Sequence, residues 1–190
     1  MFKLISFEGI DGAGKTTIAK NLHMFLQEKG YNVILTQEPF TEEITKLIGK
    51  AGWNDPVLLT LLFSADRAFH IKWLLQQNPD IVIMDRYIHS TIAYQSVLGV
   101  DEKWIEEVNS KFPKPDIVFL LDIEVENALK RIRKDDKFNF KEKIVTLDKV
   151  RKKYLELSIK YNFIVLNAND TIENITQKVN NTICSLLKCS

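Results

Sequence analysis

One run of eight residues near the N-terminus limits what this chain can fold into more than any other feature. Residues 9–16 read G-I-D-G-A-G-K-T and match the pattern G-x-x-x-x-G-K-[S/T]. That pattern carries a mechanism where a strand leads into the glycines and a helix follows them. Here an apolar segment, 2–7, precedes the glycines and an amphipathic segment, 15–29, follows them. The sequence therefore predicts a phosphate-binding loop (P-loop) between a first strand and a first helix.

The chemistry of this loop follows from its residue types. Glycines let the backbone curl so that its N–H groups converge on phosphate oxygens, and the dipole of the following helix favours the same anion. Lys15 is expected to reach the β- and γ-phosphates, and the Thr16 hydroxyl is expected to bind Mg²⁺. The residues predicted to surround the ATP phosphates are Gly9, Ile10, Asp11, Gly12, Ala13, Gly14, Lys15, Thr16 and Thr17.

A second candidate metal ligand follows an apolar strand in the middle of the chain. Residues 81–84 read I-V-I-M and end at Asp85. Ligands of open parallel sheets bind at the carboxyl ends of the strands, and P-loop enzymes need an acid there to organise Mg²⁺. We predict that Asp85 is that acid.

The rest of the chain alternates strand-like and helix-like segments, which predicts right-handed crossovers and a parallel sheet covered on both faces. A chain of 190 residues fits one domain, 1–190. The sequence therefore predicts a three-layer α/β domain around a five-stranded parallel sheet. Strands are expected at 2–7, 33–36, 81–84, 117–122 and 163–166, and helices at 15–29, 42–50, 56–77, from near 90, 104–112, 126–134, 141–161 and 172–187.

The amino-acid composition limits which binding partners and which cellular compartment we expect. The chain has 26 basic and 25 acidic residues, and affinity for nucleic acid grows with the number of basic contacts, so we expect no nucleic-acid partner. No apolar run reaches the roughly 18 residues of a membrane span, so no membrane partner is expected. Cys184 and Cys189 match no metal-binding spacing and favour a reducing compartment. The first strand leaves no room for a signal peptide, and we expect a cytoplasmic protein.

Two classes of P-loop protein are disfavoured. A GTPase needs a guanine-reading N-K-x-D motif, whereas residues 167–170 read N-A-N-D, and the only D-x-x-G lies within the P-loop at 11–14. A large ATPase motor needs a longer chain. A small kinase is left, and such an enzyme needs an acceptor site and a cationic lid.

Four segments, in order along nearly the whole chain, resemble the thymidylate kinase family. They are F-E-G-I-D-G-A-G-K-T-T at 7–17, L-F-S-A-D-R at 62–67, D-R-Y-I-H-S-T-I-A-Y-Q at 85–95 and K-V-R-K-K-Y-L-E-L at 149–157. The resemblance implies a P-loop nucleoside-monophosphate-kinase fold and a homodimer. It also implies Mg²⁺-dependent transfer of the ATP γ-phosphate to dTMP, which gives dTDP.

The resemblance also implies roles for individual acceptor-site residues. Asp11 would hold the 3′-hydroxyl of dTMP, Arg86 its phosphate, and Tyr94 would crowd the 2′ position. On the base, four residues would act: Phe63 stacking on thymine, Arg67 donating to O4, and Thr91 and Gln95 lining the base edge.

Lid cations complete the expected catalytic set. Arg131, Arg133 and Lys134 fall where one branch of the family keeps them, in a lid segment of about 131–141. That branch has no arginine within the P-loop, and neither has this chain. The expected catalytic residues are Lys15, Asp11, Arg86, Arg131 and Arg133.

One departure from the family pattern leaves the acceptor open. The family usually has T-R-E-P-G after the second strand, whereas residues 36–40 read T-Q-E-P-F. Without that arginine, acceptor choice is expected to be looser. The alternatives are therefore another nucleoside-monophosphate or deoxynucleoside kinase on the same scaffold, and a nucleotide-binding protein without turnover.

Overall fold

Five parallel strands form one sheet at the centre of the protein in the computed structural model, which describes residues 2–132 and 141–187. The spatial order is β2-β3-β1-β4-β5. The strands are β1 (Lys3–Glu8), β2 (Val33–Gln37), β3 (Ile81–Asp85), β4 (Ile117–Asp122) and β5 (Ile164–Asn167). Every neighbouring pair is parallel, which confirms the predicted sheet.

Helices connect the strands and cover both faces of the sheet. They are α1 (Lys15–Glu28), α2 (Glu42–Ala51), α3 (Pro56–Gln77), α4 (Ile88–Val97), α5 (Glu102–Val108), α6 (Val125–Arg131), α7 (Lys141–Lys160) and α8 (Ile172–Leu187). From β1 the chain passes to β2 at one edge of the sheet and returns to β3 beside β1. It then crosses over β1 to β4 and reaches β5 at the other edge. Because such crossovers are right-handed, their helices lie on opposite faces, and α1 packs with α8 while α4 packs with α7. No helix in the described ranges is long and apolar enough to cross a membrane.

Helix ends differ from the sequence prediction by two residues or more at three places. The helix expected at 126–134 ends at Arg131, because Ile132 is already extended. The helix expected from near residue 90 begins at Ile88. The helix expected at 104–112 spans Glu102–Val108, because the Asp101 side chain accepts a hydrogen bond from the Trp104 N–H (2.8 Å) and caps it two residues earlier. The long α3 helix begins and ends as expected, since Asp55 caps it ahead of Pro56 at its first turn.

The register of β1 against β3 places two predicted site segments together. Phe7 pairs with Asp85 in the parallel ladder, so the P-loop leaves β1 next to the acid that ends β3. The order of the strands reverses at β1, with β3 on one side and β4 on the other. Such a reversal opens a crevice beyond the carboxyl ends of the strands, where ligands of these sheets bind.

A buried carboxyl group at the end of β1 joins three parts of the fold. Glu8 accepts hydrogen bonds from the Tyr87 N–H (3.0 Å), the Ser90 hydroxyl (2.6 Å) and the Tyr154 hydroxyl (3.2 Å). It thereby ties β1 to the beginning of α4 and to α7. Burial raises the pKa of Glu8 to about 7, although the Ser90 hydrogen bond and the positive charge of Arg86 oppose the shift.

We predict that Glu8→Gln removes a pH-dependent part of the stability. Because the pKa of Glu8 is higher in the folded chain than in the unfolded one, its contribution is full below the ordinary pKa of 4.5 and is lost as the pH rises through about 7. Between about pH 5 and pH 8, the wild type should lose about 1–3 kcal/mol of unfolding free energy relative to Glu8→Gln. Urea denaturation without nucleotide measures this difference, and parallel pH profiles for the two proteins would contradict it.

Candidate active site

The P-loop has the tight curl that its glycines predict. Gly12 has φ +81°, and a Cβ there would lie 2.4 Å from the Ala128 carbonyl oxygen, so only glycine fits without moving a neighbour. The Lys15 ammonium is buried and donates to the carbonyl oxygens of Gly9 (3.0 Å) and Ile10 (2.9 Å). Burial and the nearby charge of Arg86 lower the pKa of Lys15 to about 8. The loop therefore holds a cation in place for an incoming phosphate.

The two predicted magnesium ligands are in contact. The Thr16 hydroxyl donates a hydrogen bond to Asp85 Oδ2. A hydroxyl and a carboxylate are the oxygen donors that Mg²⁺ prefers, and this ion usually takes few protein ligands together with phosphates and water. The pair fits that pattern, since it brings one hydroxyl and one carboxylate oxygen together beside the P-loop.

The expected sugar and phosphate residues of the acceptor site also meet. Arg86 has a left-handed backbone (φ +72°), and its N–H donates to the Phe7 carbonyl (3.0 Å). Its guanidinium forms a salt bridge with Asp11 Oδ1 and lies 5.5 Å from the centre of the Tyr94 ring. Burial alone would raise the pKa of Asp11, but the charges of Arg86 and Lys143 outweigh it and lower that pKa well below the usual range. Asp11 is therefore a carboxylate at neutral pH.

Arg67 lies at the bottom of the expected base pocket, with only 1% of its surface exposed. Its Nη2 donates to Glu38 Oε2 (2.6 Å) and to the Thr91 hydroxyl (3.1 Å), and its Nη1 donates to Asn109 Oδ1 (2.5 Å). A guanidinium carries more N–H groups than these contacts use. The Nε atom of Arg67 has no hydrogen-bond partner within the described part of the chain. Arg67 can therefore donate to a ligand while Glu38 balances its charge.

Gln95 has an unsatisfied amide in the same pocket. It is 1% exposed, and neither its oxygen nor its nitrogen has a hydrogen-bond partner among residues 2–132 and 141–187. Buried amides left without partners cost free energy unless a ligand or water satisfies them. Gln95 lines one cavity of about 1040 Å³ together with Phe63, Arg67 and the P-loop. The cavity is therefore large enough for a nucleotide, and Arg67 and Gln95 supply polar groups to its lining.

The segment that departs from the family pattern is held in a defined way. Gln37 lines the cavity, whereas Phe40 turns away and stacks on the His70 ring (centroids 4.3 Å apart). The buried Asp66 carboxylate accepts hydrogen bonds from the backbone N–H groups of Phe40 (2.7 Å) and Thr41 (2.6 Å). The chain thus places a neutral amide at the cavity wall where the family usually has an arginine.

The expected lid cations are placed only in part. Arg131 ends α6, lines the cavity and donates to the Ala168 carbonyl oxygen (3.1 Å). Arg133, Lys134 and most of the predicted lid lie outside the described residues. Arg131 therefore stands at the rim of the same cavity as the P-loop.

Three residues of the site escaped the sequence interpretation. Glu38 and Asn109 hold Arg67, and Lys143 lies against Asp11 (Nζ to Oδ2, 2.5 Å). The only signal for Glu38 was its place in the segment after β2. Asn109 and Lys143 carried none, because they occur in segments with ordinary surface composition.

The comparisons with known proteins agree with this geometry. A family model described as Thymidylate kinase matches residues 7–179. A "Probable thymidylate kinase" of Sulfurisphaera tokodaii is 76% identical over 190 residues, which is 100% of both chains. A "Probable thymidylate kinase 1" of Saccharolobus solfataricus is 59% identical over 171 residues, 89% of this chain and 90% of the relative. A "Probable thymidylate kinase" of Sulfolobus acidocaldarius is 56% identical over 189 residues, 97% of each chain.

We predict that Glu38→Gln destabilises the protein far more than an equivalent change at the surface. The variant leaves the buried Arg67 guanidinium without its counter-charge, which costs about 3–5 kcal/mol. The matched control is Glu42→Gln, which breaks an exposed pair with Lys46 (side chains 78% and 67% exposed) and should cost less than about 1 kcal/mol. Urea denaturation of both variants measures the difference, and equal losses would contradict the prediction.

Proposed function

The chain belongs to the thymidylate kinase family, and from that premise we propose that it transfers the γ-phosphate of ATP to dTMP, giving dTDP and ADP. The observation that carries this proposal is the proposed base pocket. The buried Arg67 lines the cavity together with Gln95, whose amide has no hydrogen-bond partner within the described residues. The alternatives were a different nucleotide kinase and a protein without turnover. A kinase is favoured because one cavity is lined by the P-loop, the Thr16–Asp85 pair and the proposed acceptor pocket.

The P-loop is proposed to hold ATP. Its backbone N–H groups and the beginning of α1 would bind the phosphates, and Lys15 would exchange its two carbonyl contacts for phosphate oxygens. Thr16 and Asp85 would hold Mg²⁺. The bound ion would neutralise charge on the β- and γ-phosphate oxygens.

Asp11 and Arg86 are proposed to hold the sugar and phosphate of dTMP. The Asp11 carboxylate can accept a hydrogen bond from the 3′-hydroxyl. The Arg86 guanidinium suits a phosphate, since its planar fork binds oxyanions with two parallel hydrogen bonds. Phosphoryl transfer needs positioning and charge stabilisation more than a strong base, and these residues supply both.

The base pocket fits thymine by the direction of its hydrogen bonds. The Gln95 amide has one donor end and one acceptor end, so it can pair with the O4 and N3–H of thymine and, after a flip, with the N3 and N4–H₂ of cytosine. Arg67 breaks this symmetry, because a guanidinium only donates. Thymine presents an O4 acceptor where cytosine presents an amino donor. Phe63, half-buried in the same cavity, is proposed to stack on the ring.

At the far end of the cavity, Arg131 is proposed to stabilise the transferring phosphoryl group together with Arg133 of the lid. The Ala168 carbonyl oxygen that accepts from Arg131 is a neutral group, so this contact does not neutralise the charge of Arg131. Cationic side chains in this role contribute on the order of 10³–10⁵ in rate when one residue acts alone. Each of several lid cations should contribute less.

We propose that the reaction takes place in the cytoplasm, because a sequence with two cysteines among 190 residues favours a reducing compartment.

The first test is a panel of acceptors, followed as ADP release. We predict that dTMP is the best substrate and that dUMP is about 10–200-fold poorer, because a missing methyl group loses only a small apolar contact. dCMP should be poorer by about 10⁴, since its amino group opposes Arg67 and leaves both groups unpaired. Lys15→Met is the matched control, because it should keep the fold and remove turnover with every acceptor. Comparable rates for dCMP and dTMP would contradict the thymidylate assignment.

A homodimer is proposed to form through α3. One face of this helix places Phe63 and Arg67 at the cavity, while another exposes large apolar side chains: Val57, Leu58, Leu61, Phe69 and Leu75. Contiguous exposed apolar side chains on soluble proteins commonly mark interfaces. A second copy of the chain is the proposed partner, since a closed symmetric pair would cover the same face on both subunits.

Light scattering tests the dimer directly. We predict that Leu61→Lys with Phe69→Lys halves the mass in solution, because two buried charges in the centre of an apolar interface cannot be satisfied. Leu186→Lys is the control, since Leu186 is equally exposed (57%) but lies on α8. A wild-type monomer, or a dimer that survives both substitutions in α3, would rule this interface out.

A further inference from the structure

Lys143 is a buried lysine in the first turn of α7. Only 8% of the residue is exposed, although lysine is rarely buried in proteins. Its ammonium lies 2.5 Å from Asp11 Oδ2, 5.4 Å from the centre of the Trp53 ring and 5.3 Å from the centre of the Tyr94 ring. Two aromatic faces and one carboxylate therefore surround this charge.

The packing of α7 alone does not explain why the charged Lys143 side chain is buried. Moving an ammonium group out of water is costly, and the carboxylate and the ring faces offset part of that cost. An apolar side chain could anchor the beginning of α7 without this cost. Lys152, nine residues further on the same helix, shows the ordinary arrangement, with its side chain 70% exposed and paired with Asp148.

Lys143 and Arg86 contact different oxygen atoms of the Asp11 carboxylate. Arg86 occupies Oδ1, whereas Lys143 and the Tyr94 hydroxyl (3.3 Å) occupy Oδ2. A carboxylate has about four acceptor positions, so these three contacts leave room for one further donor. Two cations on one carboxylate also mean that one can turn to another anion while the other keeps the charge balanced.

We propose that Lys143 is a positioning residue for the acceptor: it fixes the Asp11 carboxylate so that this group accepts the 3′-hydroxyl while Arg86 binds the acceptor phosphate. The inference rests on the proposed function of Asp11 and Arg86. When a phosphate binds the Arg86 guanidinium, the salt bridge between Arg86 and the Asp11 carboxylate is weakened. Lys143 then holds the carboxylate in place for the 3′-hydroxyl.

The test removes the charge of Lys143 and the hydroxyl of the substrate separately. Lys143→Met keeps the length of the side chain, and 2′,3′-dideoxythymidine monophosphate lacks only the 3′-hydroxyl of dTMP. We expect the KM for dTMP to rise about 10-fold or more, the weight of a hydrogen bond to a charged group. The KM for the dideoxy acceptor and the KM for ATP should change less than about 2-fold. Calorimetric binding of the two acceptors, without ATP, should show the same difference.

Two further variants separate positioning from anchoring. Lys143→Arg keeps the charge and suits the aromatic faces, so it should restore most of the preference for dTMP over the dideoxy acceptor. Lys152→Met, the control on the exposed face of α7, should leave that preference unchanged. The ratio of the two KM values does not depend on the fraction of folded enzyme, so a loss of stability in Lys143→Met does not obscure it.

Equal losses with both acceptors would overturn this inference and assign Lys143 to the phosphate or to the scaffold. A lower melting temperature with an unchanged KM ratio would overturn it in favour of anchoring. A wild-type enzyme that binds and phosphorylates neither acceptor would instead overturn the proposed function, and the inference with it.

Discussion

The Glu8 carboxyl group is the interaction on which the rest of the site depends. It ends β1 one residue before the P-loop begins at Gly9, and it accepts the Tyr87 N–H at the beginning of α4. Arg86, the residue before Tyr87, is thereby held beside the P-loop. The contact with Tyr154 extends the same constraint to α7. A single buried acid thus fixes the donor loop, the acceptor arginine and the helix after the lid relative to one another.

The two arginines proposed to bind the acceptor are held in opposite ways. Arg67 is fully buried, and its pairing with Glu38 fixes where its remaining N–H groups lie. Arg86 is partly exposed and paired with Asp11, which also has a second cation in Lys143. The first pair is a buried part of the fold and sets the geometry of the pocket proposed for the base. The second pair can open when an anion arrives, because the carboxylate is not left alone.

The sequence predicted the parts of this site that depend on local pattern. Strand and helix periodicity, with the P-loop motif, placed Thr16 near Asp85 because parallel strands end at one edge of the sheet. It could not predict Glu38, Asn109 or Lys143 as partners. Their environment is set by segments distant in the chain: 29 residues separate Glu38 from Arg67, and 42 separate Asn109 from it. A lysine in a lysine-rich helix gives no sign that two aromatic rings will enclose it.

The close approach of Gly12 to Ala128 has a consequence for how this enzyme can change over time. Since a Cβ at position 12 would overlap the carbonyl oxygen of Ala128, no side chain can be accepted there until α6 has moved. Arg131 ends that helix, so any such movement displaces a cation at the cavity rim. The sequences of the P-loop and α6 are therefore constrained to change together. A mutation that places a basic side chain at position 12 must be preceded by other mutations in α6. A P-loop arginine in place of the lid cations therefore cannot arise by a single substitution.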